Sequence, residues 1–267
     1  MIRRGTVLTS PSRTVVIRMN PLFEVIHEDA ELLVINKPAD LVCHPTKGDV
    51  YSSLISRCRL HLGTQGEPQM VNRLDRETSG VVLVAKTPEA ARELRRLWEN
   101  GHVTKRYVAI VHGRPEPPSA LIDAPLGRDE ASPVAIKDKV RPDGAAARTE
   151  FRVIRSFERE GREYSLLSVR PLNGRKHQIR IHLAHMGHSI VGDKLYGGDE
   201  LSYLNFVEGR LQAEQRERLI LANHALHAGE VSFVWRDQPA RFHAAPEKEF
   251  RDFCGWGRED EAGWHPS

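Results

Sequence analysis

One carboxylate stands out in the stretch Asn72-Arg73-Leu74-Asp75-Arg76-Glu77-Thr78-Ser79-Gly80. Asp75 lies between two arginines, just ahead of the apolar run Val81-Val82-Leu83-Val84-Ala85, which predicts a buried strand. A loop leading into a buried strand is a good place for a fixed catalytic group. The same residues suit a plain turn in which Asp75 and Thr78 bond to local backbone. The pattern alone leaves both readings open. A second unusual segment is Gly174-Arg175-Lys176-His177-Gln178-Ile179-Arg180-Ile181-His182-Leu183. If it is helical, His177, Arg180 and Ala184 share one face, while Ile179 and Leu183 point elsewhere. An arginine buried there needs a carboxylate partner, because an unpaired buried charge costs several kcal/mol. Asp75 is a candidate for that partner.

The elements that must position these groups read as follows. Phe23 to His27 and Leu32 to Asn36 form a predicted hairpin across Glu28-Asp29-Ala30-Glu31, and Lys37-Pro38 ends its second strand. Ser53 to His61 predicts a short helix. Thr87-Pro88 opens another, with threonine at the N-cap, apolar residues at helical spacing from Ala91 to Trp98, and Gly101 placed to end it. Tyr107 to Val111 reads as a strand, and Arg114 to Ala146 as a loop-rich region with room for short strands. Thr149 to Ile154 and Tyr164 to Val169 alternate apolar and polar residues, as half-buried antiparallel strands do. Gly174 to Gly187 carries a helical pattern, Glu230 to Trp235 a late strand and Glu247 to Cys254 a final helix. Locally paired strands with irregularly inserted helices predict an α+β fold. Three parts are expected: a basic arm over residues 1–20, a catalytic domain over 21–255 and a polar tail over 256–267.

Composition narrows the class. The chain has 267 residues, 40% of them hydrophobic and 28% charged, which describes an ordinary soluble globular protein able to bury a core without staples. No apolar run is long enough to span a bilayer, and no signal-peptide pattern follows Arg3 and Arg4, so a cytoplasmic protein is expected. Cys43, Cys58 and Cys254 are too few and too scattered for a disulfide framework or a zinc site. The net charge is only +3, but it is unevenly spread. Arg170 to Lys194 holds five basic residues against one acid, whereas Glu247 to Glu261 holds six acids against three bases. That asymmetry suits a polyanion bound on one face.

Taken in order, the motifs resemble those of the RluA-type pseudouridine synthase family. Arg73-Leu74-Asp75-x-x-Thr78-Ser79-Gly80 is similar to its catalytic signature. Lys105-x-Tyr107-x-Ala109-x-Val111-x-Gly113 resembles a second motif, and Gly174-Arg175-x-His177-Gln178-Ile179-Arg180-x-His182 a third. Asn36-Lys37-Pro38, His44-Pro45, Ala147-Arg148-Thr149 and Gly192-Asp193-x-x-Tyr196-Gly197 add lesser similarities, so that the likeness covers roughly residues 22 to 200. The resemblance implies an α+β domain on a central, mostly antiparallel sheet that isomerises a uridine within ribosomal or transfer RNA, with no cofactor or metal. It implies that Asp75 is the essential carboxylate, that Tyr107 stacks on the flipped uracil, and that Arg180 pairs with Asp75 and keeps it ionised. Arg73 resembles the arginine that fills the place of the departed base, with Lys105, Arg175 and His177 as further RNA contacts. The bland alternatives are an ordinary strand aromatic for Tyr107 and a surface ion pair for Arg73. Asn72 departs from the pattern, since the family often has histidine there. The stretch ahead of Phe23 looks too short for the small RNA-binding domain that often precedes this one. A monomer with no obligatory protein partner is expected.

Two rival functions are weaker. His182, His185 and His188 recur at every third residue, with His224 and His227 later, which raises a metal hydrolase. No nearby glutamate completes the usual arrangement, so the expectation for metal is none. A catalytically idle RNA-binding protein would share the basic cleft, but it would have no need of Asp75, Tyr107 and Arg180 together.

Overall fold

The computed structural model describes residues 23–45, 52–64 and 66–264. The expected basic arm at 1–20 lies outside them. In chain order the elements are β1 (Glu24–Glu28), β2 (Leu32–Lys37), α1 (Leu54–Leu62), β3 (Gln69–Met70), β4 (Ser79–Ala85), α2 (Pro88–Glu99), β5 (Thr104–His112), β6 (Ser119–Asp123), β7 (Leu126–Arg128) and β8 (Asp138–Val140). They continue with β9 (Arg148–Arg159), β10 (Arg162–Pro171), α3 (Gln178–His185), α4 (Leu201–Val207), α5 (Ala213–Leu219), β11 (Leu226–Trp235), β12 (Gln238–His243), α6 (Lys248–Cys254) and α7 (Arg258–Trp264).

One large sheet runs β1-β2-β4-β11-β5-β10-β9-β6, with β3 beside β4 and β12 beside β11. Its pairs are antiparallel except β4 with β11, which meet only at His227↔Ser79 and Ala228↔Gly80. β7 and β8 form a separate two-stranded ribbon. Every residue of β4 is buried because both faces of this strand are covered. Val82 and Val84 face a cluster with Leu54, Ile55 and Cys58 of α1, whereas Val81, Leu83 and Ala85 face Ala90, Ala91 and Leu94 of α2. A third cluster, around β5 and β10, takes in Ile179 and Leu183 of α3 and Phe250 and Phe253 of α6.

Local chemistry sets the helix starts. Thr87 caps α2 by accepting the Ala90 N–H at 3.2 Å, with Pro88 in the first turn. Gln178 begins α3 four residues later than the pattern predicts. The reason lies in the turn before it: the Gln178 amide oxygen accepts the Arg175 N–H at 3.0 Å, and His177 takes a left-handed conformation (φ 56°, ψ 14°). His177 therefore stands ahead of the helix and does not share a helical face with Arg180. The expected polar tail is also corrected over 256–264. α7 folds back on the sheet, Asp260 accepts from Arg155 Nε at 2.7 Å, and Trp264 is 3% exposed against Gly229. No helix among the described residues is long and apolar enough to cross a membrane.

Candidate active site

The loop between β3 and β4 carries Asp75, and it is tied down on every side. Asn72 accepts the Leu83 N–H at 2.8 Å and donates to the Val81 carbonyl at 3.3 Å. The departure from histidine at that position thus serves as a backbone clamp on β4. Lys37, wholly buried, donates to the carbonyls of Pro38, Leu41 and Arg76 at 2.7, 2.9 and 3.0 Å. Beyond Asp75, Thr78 pairs with His224 at 2.7 Å and Ser79 with His227 at 2.9 Å, while Glu77 is ion-paired to Lys194. Gly80 completes the anchorage. Its φ is +118°, and a Cβ there would lie 2.2 Å from the Ala228 carbonyl oxygen, so only glycine lets β4 meet β11.

Arg180, on α3 and 5% exposed, reaches this loop from the opposite side. Its NH1 donates to Asp75 Oδ2 at 2.9 Å. Its other edge forks onto Asp193, Nε to Oδ2 at 2.7 Å and NH2 to Oδ1 at 2.9 Å. Asp193 Oδ1 also accepts the N–H groups of Leu195 and Tyr196 at 2.9 and 3.0 Å. A fully desolvated guanidinium is thereby matched by carboxylates on both edges, the arrangement that makes a buried arginine tolerable. The electrostatic result is directional. Burial alone pushes the Asp75 carboxyl up, but the Arg180 charge, with its hydrogen bond, holds it below the usual carboxylate range. The same balance, more strongly, keeps Asp193 ionised.

Tyr107 sits on β5, opposite Ala228 of β11 and Val169 of β10. Burial, and then the Asp75 charge, push its phenol up, so it stays protonated in the free protein. It is therefore suited to stacking and hydrogen-bond donation more than to acting as a ready base. His177 lies beside the same carboxylate, Nε2 3.9 Å from Asp75 Oδ2, and is not an open surface group. Arg73 is exposed on the same loop as Asp75. Lys105, on β5, reaches the turn before α3 by donating to the Asn173 carbonyl at 2.9 Å, and Arg175, within that turn, donates to the carbonyl of Ala146 at 3.3 Å.

Thus Arg180 contacts Asp75, and Tyr107 lies near enough for the Asp75 charge to act on its phenol. Asp193 and Tyr196 were missed as site residues. The signal for them was available: Asp193 is the one acid in the basic stretch 170–194, and a buried arginine calls for it. The histidines that suggested metal are spread through the fold. His182 bonds Thr149 and Ala124, His188 bonds the His112 carbonyl, and His227 uses both ring nitrogens on Ser79 and Ala244. Among the described residues no group of three or more His, Cys, Asp or Glu is placed to hold a metal ion.

The family signature that matches the sequence is RNA pseudouridylate synthase, over residues 31–185. The chain belongs to the RNA pseudouridylate synthase family. It is 33% identical, over 91% of its length and 72% of the relative's, to an uncharacterized RNA pseudouridine synthase of Mycoplasma genitalium. It is 38% identical to one of Chloroflexus aurantiacus, over 74% of this chain and 57% of that one. It is also 32% identical to ribosomal large subunit pseudouridine synthase D of Zymomonas mobilis, over 79% of this chain and 64% of that one. The chain thus spans a little over half to nearly three quarters of these relatives. The human RNA pseudouridylate synthase domain containing 4 shares the fold, with a TM-score of 0.66 and 23% identity over 90% of this chain and 92% of that one. The mostly antiparallel α+β sheet expected of a pseudouridylate synthase is the sheet found.

Proposed function

We propose that the chain is an RNA pseudouridine synthase that isomerises a uridine in ribosomal or transfer RNA, with Asp75 as the essential carboxylate. The observation that carries this reading is the Arg180–Asp75 pair. A carboxylate kept ionised in a part-buried site, with one oxygen tied to the protein, is available and oriented as a base or nucleophile. The reaction breaks the N1–C1′ bond, turns the uracil, and joins C5 to C1′; a proton leaves C5 and one is gained at N1. Asp75 can serve by adding to C1′ or by taking the C2′ proton, and both routes need it charged.

The reacting atoms are out of reach within a stacked helix, so the nucleotide must flip out, at a cost of roughly a few kcal/mol. Tyr107 on β5 supports the flipped uracil by stacking, worth about 1–3 kcal/mol per base. Arg73, exposed two residues before Asp75, fills the vacated place in the RNA stack, and Lys105 and Arg175 contact phosphates. The chemistry calls for no cofactor or metal. One chain carries Asp75, Tyr107 and Arg180, which supports a monomer as the acting unit, and the cytoplasm, where ribosomal and transfer RNA reside, as its setting. Relatives named for the ribosomal large subunit, from Zymomonas mobilis and Vibrio cholerae, favour ribosomal RNA as the first target to examine.

The test is pseudouridine mapping across total RNA from cells with and without the protein, paired with Asp75→Asn. The expected result is the loss of one or more sites, restored by wild type and not by the variant, which still binds RNA. A variant that restores the sites would end the assignment of Asp75; an unchanged map would end the synthase reading.

A further inference from the structure

Two part-buried side chains beside Asp75 have no part in the reaction as set out above. His177 holds a left-handed backbone, unfavourable for any residue with a Cβ, and such conformations gather where a site needs them. Its ring is turned inward as a result. Nε2 faces Asp75 Oδ2 at 3.9 Å, and Nδ1 lies 3.0 Å from the Tyr196 hydroxyl. Tyr196 follows Asp193 by three residues. Its ring packs 5.1 Å from the Arg180 guanidinium, and its oxygen accepts the Asp138 N–H at 3.4 Å.

Proton counting gives these contacts a direction. The phenolic oxygen receives the Asp138 N–H and has one proton of its own to donate, which goes to Nδ1. The imidazole proton then sits on Nε2, aimed at the carboxylate. The opposite tautomer would point a lone pair at Asp75 and leave the phenolic proton without an acceptor among the described residues. Arg180 NH1 reaches the same oxygen, Oδ2, and Oδ1 accepts no hydrogen bond among the described residues.

We infer that Tyr196 and His177 are positioning residues that hold an Nε2–H against Asp75 Oδ2 and, with Arg180, commit that oxygen to the protein, leaving Oδ1 to meet the ribose. The ribose half of this inference rests on the synthase reading; the tautomer lock does not. Burial pushes the His177 imidazole down to about 4 against the pull of Asp75, so the ring is neutral at pH 7. At 3.9 Å it turns the positive end of a neutral N–H dipole toward Asp75 without adding a second cation.

The experiment has two readouts. Imidazole nitrogen-15 shifts of the wild-type protein are expected to show His177 protonated at Nε2 and bare at Nδ1, and Tyr196→Phe, which keeps the ring over Arg180, is expected to mix the tautomers. The Nδ1–H form or the cation in wild type at pH 7 overturns the inference whether or not any RNA is turned over. The second readout is tritium release from C5-labelled transcripts of ribosomal and transfer RNA under single turnover. Here Tyr196→Phe is expected to slow the step about tenfold, the worth of one hydrogen bond, while filter-binding affinity stays within about twofold. His177→Ala should lose at least as much, and His177→Gln, whose amide N–H reaches the place of Nε2, should recover most of it. Equal losses in the two His177 variants, or losses confined to affinity, overturn the positioning role. Wild-type protein with the expected tautomer but no tritium release from any transcript sinks the synthase reading and leaves the lock standing.

Discussion

Arg180→Met separates the two jobs given to the guanidinium, holding charge and holding geometry. In the native site one cation stands between Asp75, 2.9 Å from NH1, and the buried Asp193, forked at 2.7 and 2.9 Å. Its removal takes the main influence opposing burial away from both carboxylates and leaves each other's charge to raise them. An opposite charge this close lowers a carboxyl pKa by roughly 1–3 units, so its loss should lift the acid limb of the rate profile by about as much. The sign follows from Asp75 acting as an anion. Its carboxyl is held low in the native protein, so activity persists to acidic pH, and raising that carboxyl withdraws the active form first at low pH. Stability must fall as well, by about 3–5 kcal/mol, because Asp193 loses its buried partner. Arg180→Lys supplies the control: it keeps a charge but cannot fork between two carboxylates. Its acid limb should stay near the native one while the rate drops. The assay is single-turnover pseudouridine formation between about pH 4 and 9 on protein shown to be folded by near-ultraviolet circular dichroism. A folded Arg180→Met enzyme with an unmoved acid limb would refute the claim that Arg180 keeps Asp75 ionised.

Two further outcomes concern stability. Gly80→Ala places a Cβ 2.2 Å from a backbone carbonyl at a φ of +118°, and urea unfolding should show a loss of roughly 3 kcal/mol or more, or no folded protein. A loss under about 1 kcal/mol would mean that β4 and β11 separate easily. His227 is pushed down to about 4 by burial, so the folded state prefers it neutral. Its contribution is fully present above the ordinary histidine value and declines as pH falls from about 6.5 towards 4, a change worth roughly 3 kcal/mol. His227→Gln should therefore make stability less steep in pH across that window, read from urea midpoints at several pH values. An unaltered slope would exclude His227 as a source of acid sensitivity.

The parts of the fold that were readable from sequence are those where local chemistry decides. Thr87-Pro88 announces α2, and the unbroken apolar run of β4 announces a strand covered on both faces. The parts that were not readable depend on distant segments meeting. Whether Arg180 pairs with Asp75, Asp193 or both is set by how α3 lies between two loops, and no spacing in the chain encodes that. His177 was misread because its side chain type and period fit a helix, while the Gln178 side chain holds the preceding turn open. The segment after Cys254 looked like a polar tail because its acids dominate, yet one of them, Asp260, is the buried partner of Arg155, and one tryptophan anchors the rest.

The place of β11 in the sheet bears on when this protein can begin to work. Asp75 belongs to the half of the sheet ordered by β1, β2 and β4, and Tyr107 to the half ordered by β5, β10 and β9; β11 alone joins them, pairing with Ser79 and Gly80 on one edge and with β5 on the other. Residues 226–235 leave the ribosome long after both halves have been made. Until then the halves have no strand between them, and a parallel contact across so much chain is slow to form. The nascent polypeptide should thus stay inert toward RNA through most of its synthesis, and gain its site in one late step.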